Sequence, residues 1–467
     1  MARRGEDALA RLREELGGVF SVDQGLLNEV RTDRAGWVSA GLPLGVVLAT
    51  TIDHVQCAVR IAAEFGVPIV PRGAGTGLAG GAVGTPGSLV ISTAGMNRIL
   101  EISPEDEFAV VEPGVINQHL SDAVAEFGLV FAPDPASKEI SSIGGNIATN
   151  AGGLLCAKYG VTREAVLGLK VVLADGSLLA TGRRSVKGVT GLDLTALLTG
   201  SEGTLGIIVE ATVKLRPIAA GAVKTIGAFF PDVASAARAS AAVTAARIRP
   251  AVMELMDAPS LRAIDRLNGS ALAARGTAFL LIQTDGPGAV AEAVAVASIV
   301  SSQGGDAESP GDEEAGERLL AIRRSFHWAI AALGEVLIED VCVPRSRLAD
   351  MFEAIEGIGL RHGLSIPTIA HAGDGNLHPN FVFERLATSD AAGDDAGVPL
   401  EIWAAAEEIF LTALRFGGTL SGEHGVGVLK RRWLEAEIGT ESLDLQRRIK
   451  VAFDPAGIMN PGKVFPV

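Results

Sequence analysis

The chain has few cysteines. Only three occur among 467 residues, and Cys57, Cys156 and Cys342 lie far apart without a Cys-x-x-Cys spacing. A disulfide framework needs paired cysteines, and an iron–sulfur cluster needs several closely spaced thiolates. The sequence therefore predicts neither, which favours a reduced, cytoplasmic location.

The chain also lacks long apolar runs and an excess of basic residues. Its uncharged stretches 35–52 and 140–157 are interrupted by Gly, Pro or Asn, so neither is predicted to span a membrane. The charged beginning lacks the apolar core of a signal peptide. A formal net charge of -15 argues against a nucleic-acid partner, because binding to phosphates requires a basic face.

Glycine, in contrast, is abundant, with 57 residues. Glycine permits tight turns and a close approach of the backbone to a ligand. The length predicts two or three domains, and 48% hydrophobic against 20% charged residues predicts well-buried globular domains.

Two regions with different patterns of predicted secondary structure meet at a predicted boundary between residues 218 and 219. The first has alternating strands and helices, typical of α/β or α+β proteins; they are predicted at 53–66 (helix), 67–70, 88–92, 109–111, 117–127 (helix), 167–174 and 207–215. The second begins with two strand-plus-helix units, 225–230 with 233–247 and 278–284 with 288–302, which suggest a ferredoxin-like α+β domain. Residues 386–398 are predicted as a polar loop, and Trp328 and Trp403 as core residues.

A glycine-rich loop follows the predicted strand 67–70. Residues 72–81 contain five glycines, including a GxGxxG pattern at Gly75, Gly77 and Gly80. A Rossmann dinucleotide loop must open directly into a helix, and residues 82–87 cannot form one. The loop instead favours a cradle of backbone N–H groups for a pyrophosphate, with a purely structural turn as the alternative.

Two further loops, 133–153 and 200–206, are rich in glycine and small hydrogen-bond donors. Either loop alone is a weak signal. Three such loops in one region favour a long ligand with a diphosphate, held at several points.

Three of the seven histidines lie in two glycine-bound segments near the C-terminal end, 371–378 and 422–427. Glycines and Pro379 exclude a helix through the first segment, so a turn at 372–375 between two extended arms would bring His371 and His378 to one side. Two imidazoles with the carboxylate of Glu423 would leave open positions on Zn²⁺, Mn²⁺ or Fe²⁺.

The neighbouring polar residues have more than one interpretation. His424 follows Glu423 in sequence and should point elsewhere, which suits a general base; a further ligand or a structural histidine are the alternatives. Asp374 is either the turn residue or the hydrogen-bond partner of a ligating imidazole.

In order and spacing, the three glycine loops resemble the FAD domain of the vanillyl-alcohol-oxidase (PCMH-type) flavoprotein superfamily. The resemblance covers nearly the whole chain and implies an α+β fold: a PCMH-type FAD-binding domain of two α/β subdomains over 1–218, and a ferredoxin-like substrate (cap) domain over 219–467. Its segment 453–467 would return to the FAD domain. Non-covalent FAD is expected, because no matching position is a histidine and Cys156 lies just outside the loops.

The resemblance also implies which residues contact FAD. They are Pro71, Arg72, Gly73, Ala74, Gly75, Thr76, Gly77, Leu78, Gly81, Pro133, Asp134, Ser137, Gly144, Gly145, Asn146, Thr149, Asn150, Gly152, Gly153, Glu202, Gly203, Gly206, Ile207, Ile208 and Asn460.

The histidine segments resemble the D-2-hydroxyacid dehydrogenase branch of that superfamily, which includes D-lactate dehydrogenases, D-2-hydroxyglutarate dehydrogenases and the flavin subunit of glycolate oxidase. This implies a divalent metal held by His371, His378 and Glu423. It also implies His424 as base, Asn376 as a substrate contact and Arg323 as the carboxylate-binding residue. Hydroxyglutarate enzymes carry a lysine where this chain has Ile338, which favours a smaller substrate.

The implied reaction is oxidation of a small D-2-hydroxy acid, such as D-lactate or glycolate, with hydride transfer to flavin N5. The expected electron acceptor is a quinone, a cytochrome, an electron-transfer flavoprotein or an iron–sulfur subunit, and contact with it would place the chain at the inner face of the membrane. The resemblance allows a homodimer. Alternatives are a non-catalytic flavin subunit of a glycolate oxidase-type complex, a D-2-hydroxyglutarate-type enzyme, an NAD-dependent Rossmann enzyme and a metal hydrolase.

Overall fold

The computed structural model describes residues 2–311, 313–384 and 397–466. The chain forms two compact units. The first comprises Met1–Gly152, Gly160–Ile218 and Glu423–Val467, and the second comprises Gly153–Tyr159 and Ala219–Gly422. The segment that rejoins the first unit thus begins at Glu423, whereas the sequence boundary assigned only 453–467 to it. The predicted loop at 386–398 lies almost entirely outside the described residues.

Helices and strands are numbered along the whole chain. The strands are β1 (Phe20–Ser21), β2 (Gly45–Leu48), β3 (Ile69–Arg72), β4 (Leu89–Ser92), β5 (Ile99–Ser103), β6 (Phe108–Val111), β7 (Leu129–Val130), β8 (Val166–Val172), β9 (Leu178–Gly182), β10 (Ile207–Lys214), β11 (Arg216–Pro217), β12 (Lys224–Phe230), β13 (Val252–Met256), β14 (Ala278–Thr284), β15 (Asp306–Glu308), β16 (Glu335–Ile338), β17 (Val341–Cys342), β18 (Thr368–His371) and β19 (Asn376–Phe383). The helices are α1 (Ala2–Leu16), α2 (Gln24–Glu29), α3 (Ile52–Phe65), α4 (Asn117–Ala125), α5 (Ile143–Thr149), α6 (Cys156–Tyr159), α7 (Thr162–Ala165), α8 (Leu194–Leu198), α9 (Val233–Ala245), α10 (Ala258–Asn268), α11 (Ala289–Ser302), α12 (Glu313–Ala331), α13 (Leu348–His362), α14 (Leu400–Arg415) and α15 (Leu434–Phe453).

The first unit contains two main sheets. A four-stranded sheet has the order β1-β2-β4-β3, in which β2, β4 and β3 run parallel and β1 is antiparallel to β2. A five-stranded antiparallel sheet has the order β5-β6-β10-β8-β9. Each sheet packs on its own hydrophobic cluster, the first with α1 and α3 and the second with α4 and α5.

The helix α3 shows why the local sequence forms these elements. Thr51 caps its first turn by accepting the N–H of His54, and Gly66 ends it in the left-handed conformation at φ 67°. Such a cap contributes about 1 kcal/mol. Val55 and Val59 recur at helical spacing and are fully buried against the four-stranded sheet. The predicted helix at 53–66 is therefore confirmed to within one residue.

One predicted loop contains a helix. The stretch 133–153 was expected to lack regular structure, yet α5 forms within it, with Ser142 accepting the N–H of Gly145 as its cap. Its glycines are tolerated because the helix packs closely: a side chain on Gly144 would place its Cβ 2.5 Å from the Cβ of Pro113. Close packing here outweighs the low helix propensity of glycine.

The second unit is built on one sheet with the order β15-β12-β14-β13-β18-β19-β16, and β17 also pairs with β19. All pairs are antiparallel. In chain order its first four strands follow the pattern 4-1-3-2, which confirms the ferredoxin-like arrangement predicted from the two strand-plus-helix units. The strands β18, β19 and β16 extend that sheet beyond β13.

Helices pack on the sheet of the second unit. A cluster of α10 and α12 with one sheet face contains Met256, Leu281, Phe326 and Ile369. The predicted core position of Trp403 is confirmed, since it is 4% exposed, but that of Trp328 is wrong, since it is 72% exposed on α12. Phe326 and Ile330 take the buried face of that helix, and Trp328 lies between them in sequence on another face.

Among the residues that the structure describes, none of the helices combines the length and apolar character that crossing a membrane requires.

Candidate functional site

The strands β18 and β19 form a hairpin that brings His371 and His378 together. His371 lies opposite Asn376, and His378 lies opposite Ile369, so the two histidines are diagonal neighbours on one face. Their ring centroids are 5.0 Å apart, and both residues are buried. The predicted turn at 372–375 is confirmed, although the histidines lie on the strands themselves and not in the turn.

The turn of this hairpin depends on Asp374 and Gly375. The Oδ1 atom of Asp374 accepts the N–H of Asn376 at 3.2 Å, so Asp374 serves as a turn residue. Gly375 has φ +92°, and a Cβ there would lie 2.1 Å from the carbonyl oxygen of Val343. Only glycine fits this position, which fixes the start of β19 and hence the placement of Asn376.

A buried carboxylate, missed in the sequence analysis, orients the first histidine. Glu254 on β13 lies directly opposite His371 and is 1% exposed. Its Oε1 atom is 2.6 Å from Nδ1 of His371, and its Oε2 atom accepts from Nε of Arg323 at 2.7 Å. Because Nδ1 is engaged, His371 would bind a metal through Nε2.

Arg323 therefore has a neighbour that sequence reasoning did not assign. It lies on α12, its side chain is 16% exposed, and its Nε is bound to Glu254. The two terminal nitrogens make no hydrogen bond with any residue within the described ranges. The edge of the guanidinium that carries Nε is therefore held by Glu254, and the terminal nitrogens can bind an anion.

The second histidine segment begins where the chain leaves the second unit. Asp340 is fully buried and accepts both the N–H of Gly422 at 2.7 Å and the hydroxyl of Ser421. A Cβ on Gly422 would lie 2.4 Å from Oδ1 of Asn376, so a glycine is required here. These contacts hold the residue that precedes Glu423.

Glu423 and His424 are the first residues of the rejoining segment. Within the first unit, Gly152 lies so close to Glu423 that a Cβ on it would be 2.6 Å from Oε2 of the carboxylate. Nε2 of His424 is 4.0 Å from Oε1 of Glu423. His371 and His378 in the second unit and Glu423 at the start of the rejoining segment are the candidate metal ligands among the described residues. Two imidazoles and a carboxylate are a donor set that suits Zn²⁺, Mn²⁺ or Fe²⁺.

The glycine loop after β3 presents unpaired backbone donors. No helix forms between Arg72 and Leu89, a stretch described throughout, which confirms that this GxGxxG pattern is not a Rossmann loop. The N–H groups of residues 73–78 donate to no acceptor among the described residues. Successive unpaired N–H groups in a half-buried turn fit the phosphates of a dinucleotide.

The structure brings the three glycine loops together in the first unit. A Cβ on Gly73 would lie 2.5 Å from the hydroxyl of Ser142 at the start of α5, and one on Gly203 would lie 2.9 Å from Pro71. From the C-terminal segment, Nδ2 of Asn460 donates to the carbonyl oxygens of both Gly81 and Glu202. Nδ2 of Asn146 on α5 is buried without a hydrogen-bond partner among the described residues, which suits contact with a polar ligand.

The side chains of several residues expected at the cofactor also make contacts within the protein. The guanidinium of Arg72 donates to the carbonyl oxygens of Thr32 and Ala82, and burial lowers its pKa. Ile207 and Ile208 pack into the two hydrophobic clusters, so a ligand contact there would come from their backbone. The Oδ1 atom of Asn150 accepts the N–H of Arg163.

The carboxylate of Glu202 also has hydrogen-bond partners within the protein. Its carboxylate accepts the N–H of Val426 at 2.8 Å and that of Gly427 at 2.9 Å. Burial raises the pKa of this carboxyl group to about 7, although both N–H groups favour its charged form. The loop 200–206 is therefore tied to the turn that carries His424.

In comparisons with known proteins, both parts of the chain match family models. Residues 220–464 match the family model described as "FAD linked oxidases, C-terminal domain", and residues 43–182 match the model described as "FAD binding domain". Among solved structures, p-cresol methylhydroxylase with substrate bound has the same fold, with a TM-score of 0.78 at 18% identity over 99% of this chain and 97% of that chain.

Two curated relatives extend over nearly the whole chain. The chain is 42% identical to "Glycolate oxidase subunit GlcD" of Bacillus subtilis, over 91% of this chain and 89% of the relative. It is 36% identical to "D-lactate dehydrogenase [cytochrome], mitochondrial" of Arabidopsis thaliana, over 92% of this chain and 74% of the relative. With these matches and its PCMH-type α+β fold, the chain belongs to the FAD-linked oxidase family and is an FAD-linked oxidoreductase.

Proposed function

We propose that this oxidoreductase converts a small D-2-hydroxy acid to the 2-oxo acid with the help of a divalent metal. The observation that carries the proposal is the buried His371–His378 pair with Glu254 on Nδ1 of His371. A chain that needed only to bind FAD would have no use for an oriented imidazole pair. The printed names of its relatives, a glycolate oxidase subunit and D-lactate dehydrogenases, point to the same substrate class.

Each residue would have a distinct role. His371, His378 and Glu423 would hold the metal, which lowers the pKa of a bound hydroxyl group. The terminal nitrogens of Arg323 would bind the substrate carboxylate, and Asn376 would contact the substrate through its side-chain amide, whose Oδ1 is buried without a partner among the described residues. His424 would remove the hydroxyl proton, and bound FAD supplies the hydride acceptor.

The FAD would be non-covalent and held mainly by backbone. We assign its diphosphate to the N–H groups of residues 73–78, and its remaining contacts to α5, the loop 200–206 and Asn460. Cys156 lies on α6, outside these elements. The FAD-binding domain would comprise 1–218 together with the rejoining C-terminal segment.

The substrate side chain would be small and uncharged. Ile338 on β16 lies opposite Asn380 and therefore on the same face of the sheet as His378. An aliphatic side chain at this place offers no partner to a second carboxylate. The electron acceptor would be a quinone, a cytochrome, an electron-transfer flavoprotein or a partner subunit, as the name of the Bacillus relative suggests for that protein.

The test is an anaerobic titration of the purified holoprotein with D-lactate, glycolate and D-2-hydroxyglutarate, followed by the flavin absorbance. We expect D-lactate or glycolate to bleach the flavin and D-2-hydroxyglutarate to do so much less. Chelation of the metal should abolish bleaching while the yellow FAD remains bound, and Mn²⁺ or Zn²⁺ should restore it. A flavin that none of the three acids reduces would refute the substrate class, and full activity after complete chelation would refute the metal.

A second prediction concerns the glycine loop. Gly75→Ala should weaken FAD binding at least 10-fold, because Gly75 has φ +71° and its new Cβ would lie 2.3 Å from Nη2 of Arg72. Gly87→Ala is the matched control, since Gly87 has a similar φ of +79° with open space around the added methyl group. Fluorescence titration of the apoproteins with FAD measures the effect. Equal losses of affinity in the two variants would mean that backbone strain alone is responsible.

A further inference from the structure

The turn that carries His424 is rich in glycine, and backbone hydrogen bonds tie it to two other segments: the carbonyl oxygen of Ala79 accepts the N–H of Val428, and that of Gly427 accepts the N–H of Val464. Gly425 and Gly427 adopt left-handed conformations, with φ +86° and +49°. The residues around them lie between the metal-binding candidate Glu423 and the short helical segment that leads into α15. A turn of this kind is held by whatever accepts its backbone N–H groups.

The carboxylate of Glu202 accepts two of the N–H groups within the turn itself. One oxygen accepts from Val426 and the other from Gly427, so both oxygens are engaged by consecutive N–H groups. The fit is close, since a Cβ on Gly425 would lie 3.0 Å from the carboxylate carbon. Hydrogen bonds from N–H groups to an ionised carboxylate are among the stronger ones in proteins.

Glu202 is itself fixed on the other side. It adopts φ +49°, its N–H donates to the carbonyl oxygen of Ala148 at the end of α5, and its carbonyl oxygen accepts from Asn460. The residue is 9% exposed. The side chain of Glu202 thus connects the loop 200–206 to the turn 424–427, and both of its carboxylate oxygens accept hydrogen bonds from that turn.

We propose that Glu202 is a positioning residue for His424: its carboxylate sets the shape of the turn 424–427, and with it the direction of the imidazole. The resemblance implied that Glu202 contacts FAD. In this proposal its backbone remains part of the loop 200–206 near FAD, and its carboxylate orients the proposed base, His424. The proposal deepens the proposed function, on which it rests for the role of His424.

Glu202→Gln is the main variant, because it keeps the volume but presents an amide NH₂ group to one of the two N–H donors. One hydrogen bond is lost and the two donors face each other. Glu210→Gln is the matched control. Glu210 lies on β10 in the same unit, 16% of its side chain is exposed, and it is paired with Lys170 away from the turn.

Three measurements on the holoproteins separate the roles: amide hydrogen exchange of the peptide spanning 424–430, the dissociation constant of FAD, and the rate of flavin reduction at saturating substrate. In Glu202→Gln we expect the amide hydrogen exchange rate of the turn to rise at least 10-fold. We expect the rate of flavin reduction to fall by about 10- to 100-fold. The dissociation constant of FAD should stay within about twofold, and Glu210→Gln should match the unaltered protein in all three measurements.

A fall in FAD affinity with unchanged exchange of the turn would overturn the proposal and return Glu202 to the flavin. Unchanged exchange and an unchanged reduction rate would overturn it too. If Glu202→Gln does not fold, Glu202→Asp keeps the charge but shortens the side chain, and the same exchange increase is expected. If no hydroxy acid reduces the unaltered protein, the proposed function fails, while the exchange measurement still decides whether Glu202 holds the turn.

Discussion

His424→Ala is expected to slow reduction of the flavin by the substrate by a factor of about 10²–10⁴, the usual contribution of a general base. The protein should stay yellow, because the FAD contacts assigned here lie in residues 71–81, α5 and the loop 200–206. It should also keep its metal, because the proposed ligands are His371, His378 and Glu423. Stopped-flow mixing of the oxidised variant with D-lactate or glycolate under anaerobic conditions measures the rate.

His119→Ala is the control for this experiment. His119 is exposed on α4 in the same unit as His424. It should leave the reduction rate and both bound groups unchanged. A loss of less than 10-fold in His424→Ala would remove His424 from the role of base, and a loss of metal would make it a ligand, which was the alternative interpretation of the Glu423–His424 pair.

Local features of this site were predictable from the sequence because glycine and proline restrict the backbone strongly. The hairpin turn at 372–375 follows from its glycines, since Gly375 leaves no room for a side chain beside Val343. The absence of a helix after the GxGxxG pattern follows from residues 82–87 in the same way. In both cases one short segment contained the whole argument.

Contacts between distant segments were not predictable. Glu254 lies 117 residues from His371 and 69 from Arg323. The pairing of β13 with β18 brings it to His371, and the packing of α12 brings it to Arg323. The signal present in the sequence was a single acidic residue within the apolar strand 252–256, because an unpaired carboxylate is rarely buried. That signal indicates a buried partner without saying which one.

Tertiary packing also decides where the side chains of the cofactor loops point. Arg72 was expected at the cofactor from its place in the loop, yet its guanidinium is bound to the carbonyl oxygens of Thr32 and Ala82, and Thr32 is distant in sequence. Glu202 was assigned by position in its loop, whereas its carboxylate reaches a turn 224 residues away. A resemblance identifies which loop a residue belongs to but does not determine where its side chain points.

Glu254→Ala is expected to weaken metal binding by about 10- to 100-fold, as loss of a hydrogen-bond partner to a ligating imidazole usually does. Without Glu254, Nδ1 of His371 has no acceptor at 2.6 Å, and the tautomer that offers Nε2 to the metal is no longer favoured. Arg323 loses the same carboxylate, so its guanidinium is free to turn away from the substrate. Metal affinity is measured by dialysis against buffered Mn²⁺ or Zn²⁺ followed by elemental analysis, and FAD content by absorbance.

Two further variants separate the metal effect from general damage to the sheet. Glu254→Gln keeps one acceptor oxygen, so its metal affinity should fall between that of the unaltered protein and that of Glu254→Ala. Glu308→Ala removes a carboxylate from β15, the exposed edge strand of the same sheet, where it pairs only with Arg275 among described residues, and should leave metal binding intact. Full metal occupancy in Glu254→Ala would show that His371 needs no orienting carboxylate. If the unaltered protein binds neither Mn²⁺ nor Zn²⁺, the metal has no part in the mechanism.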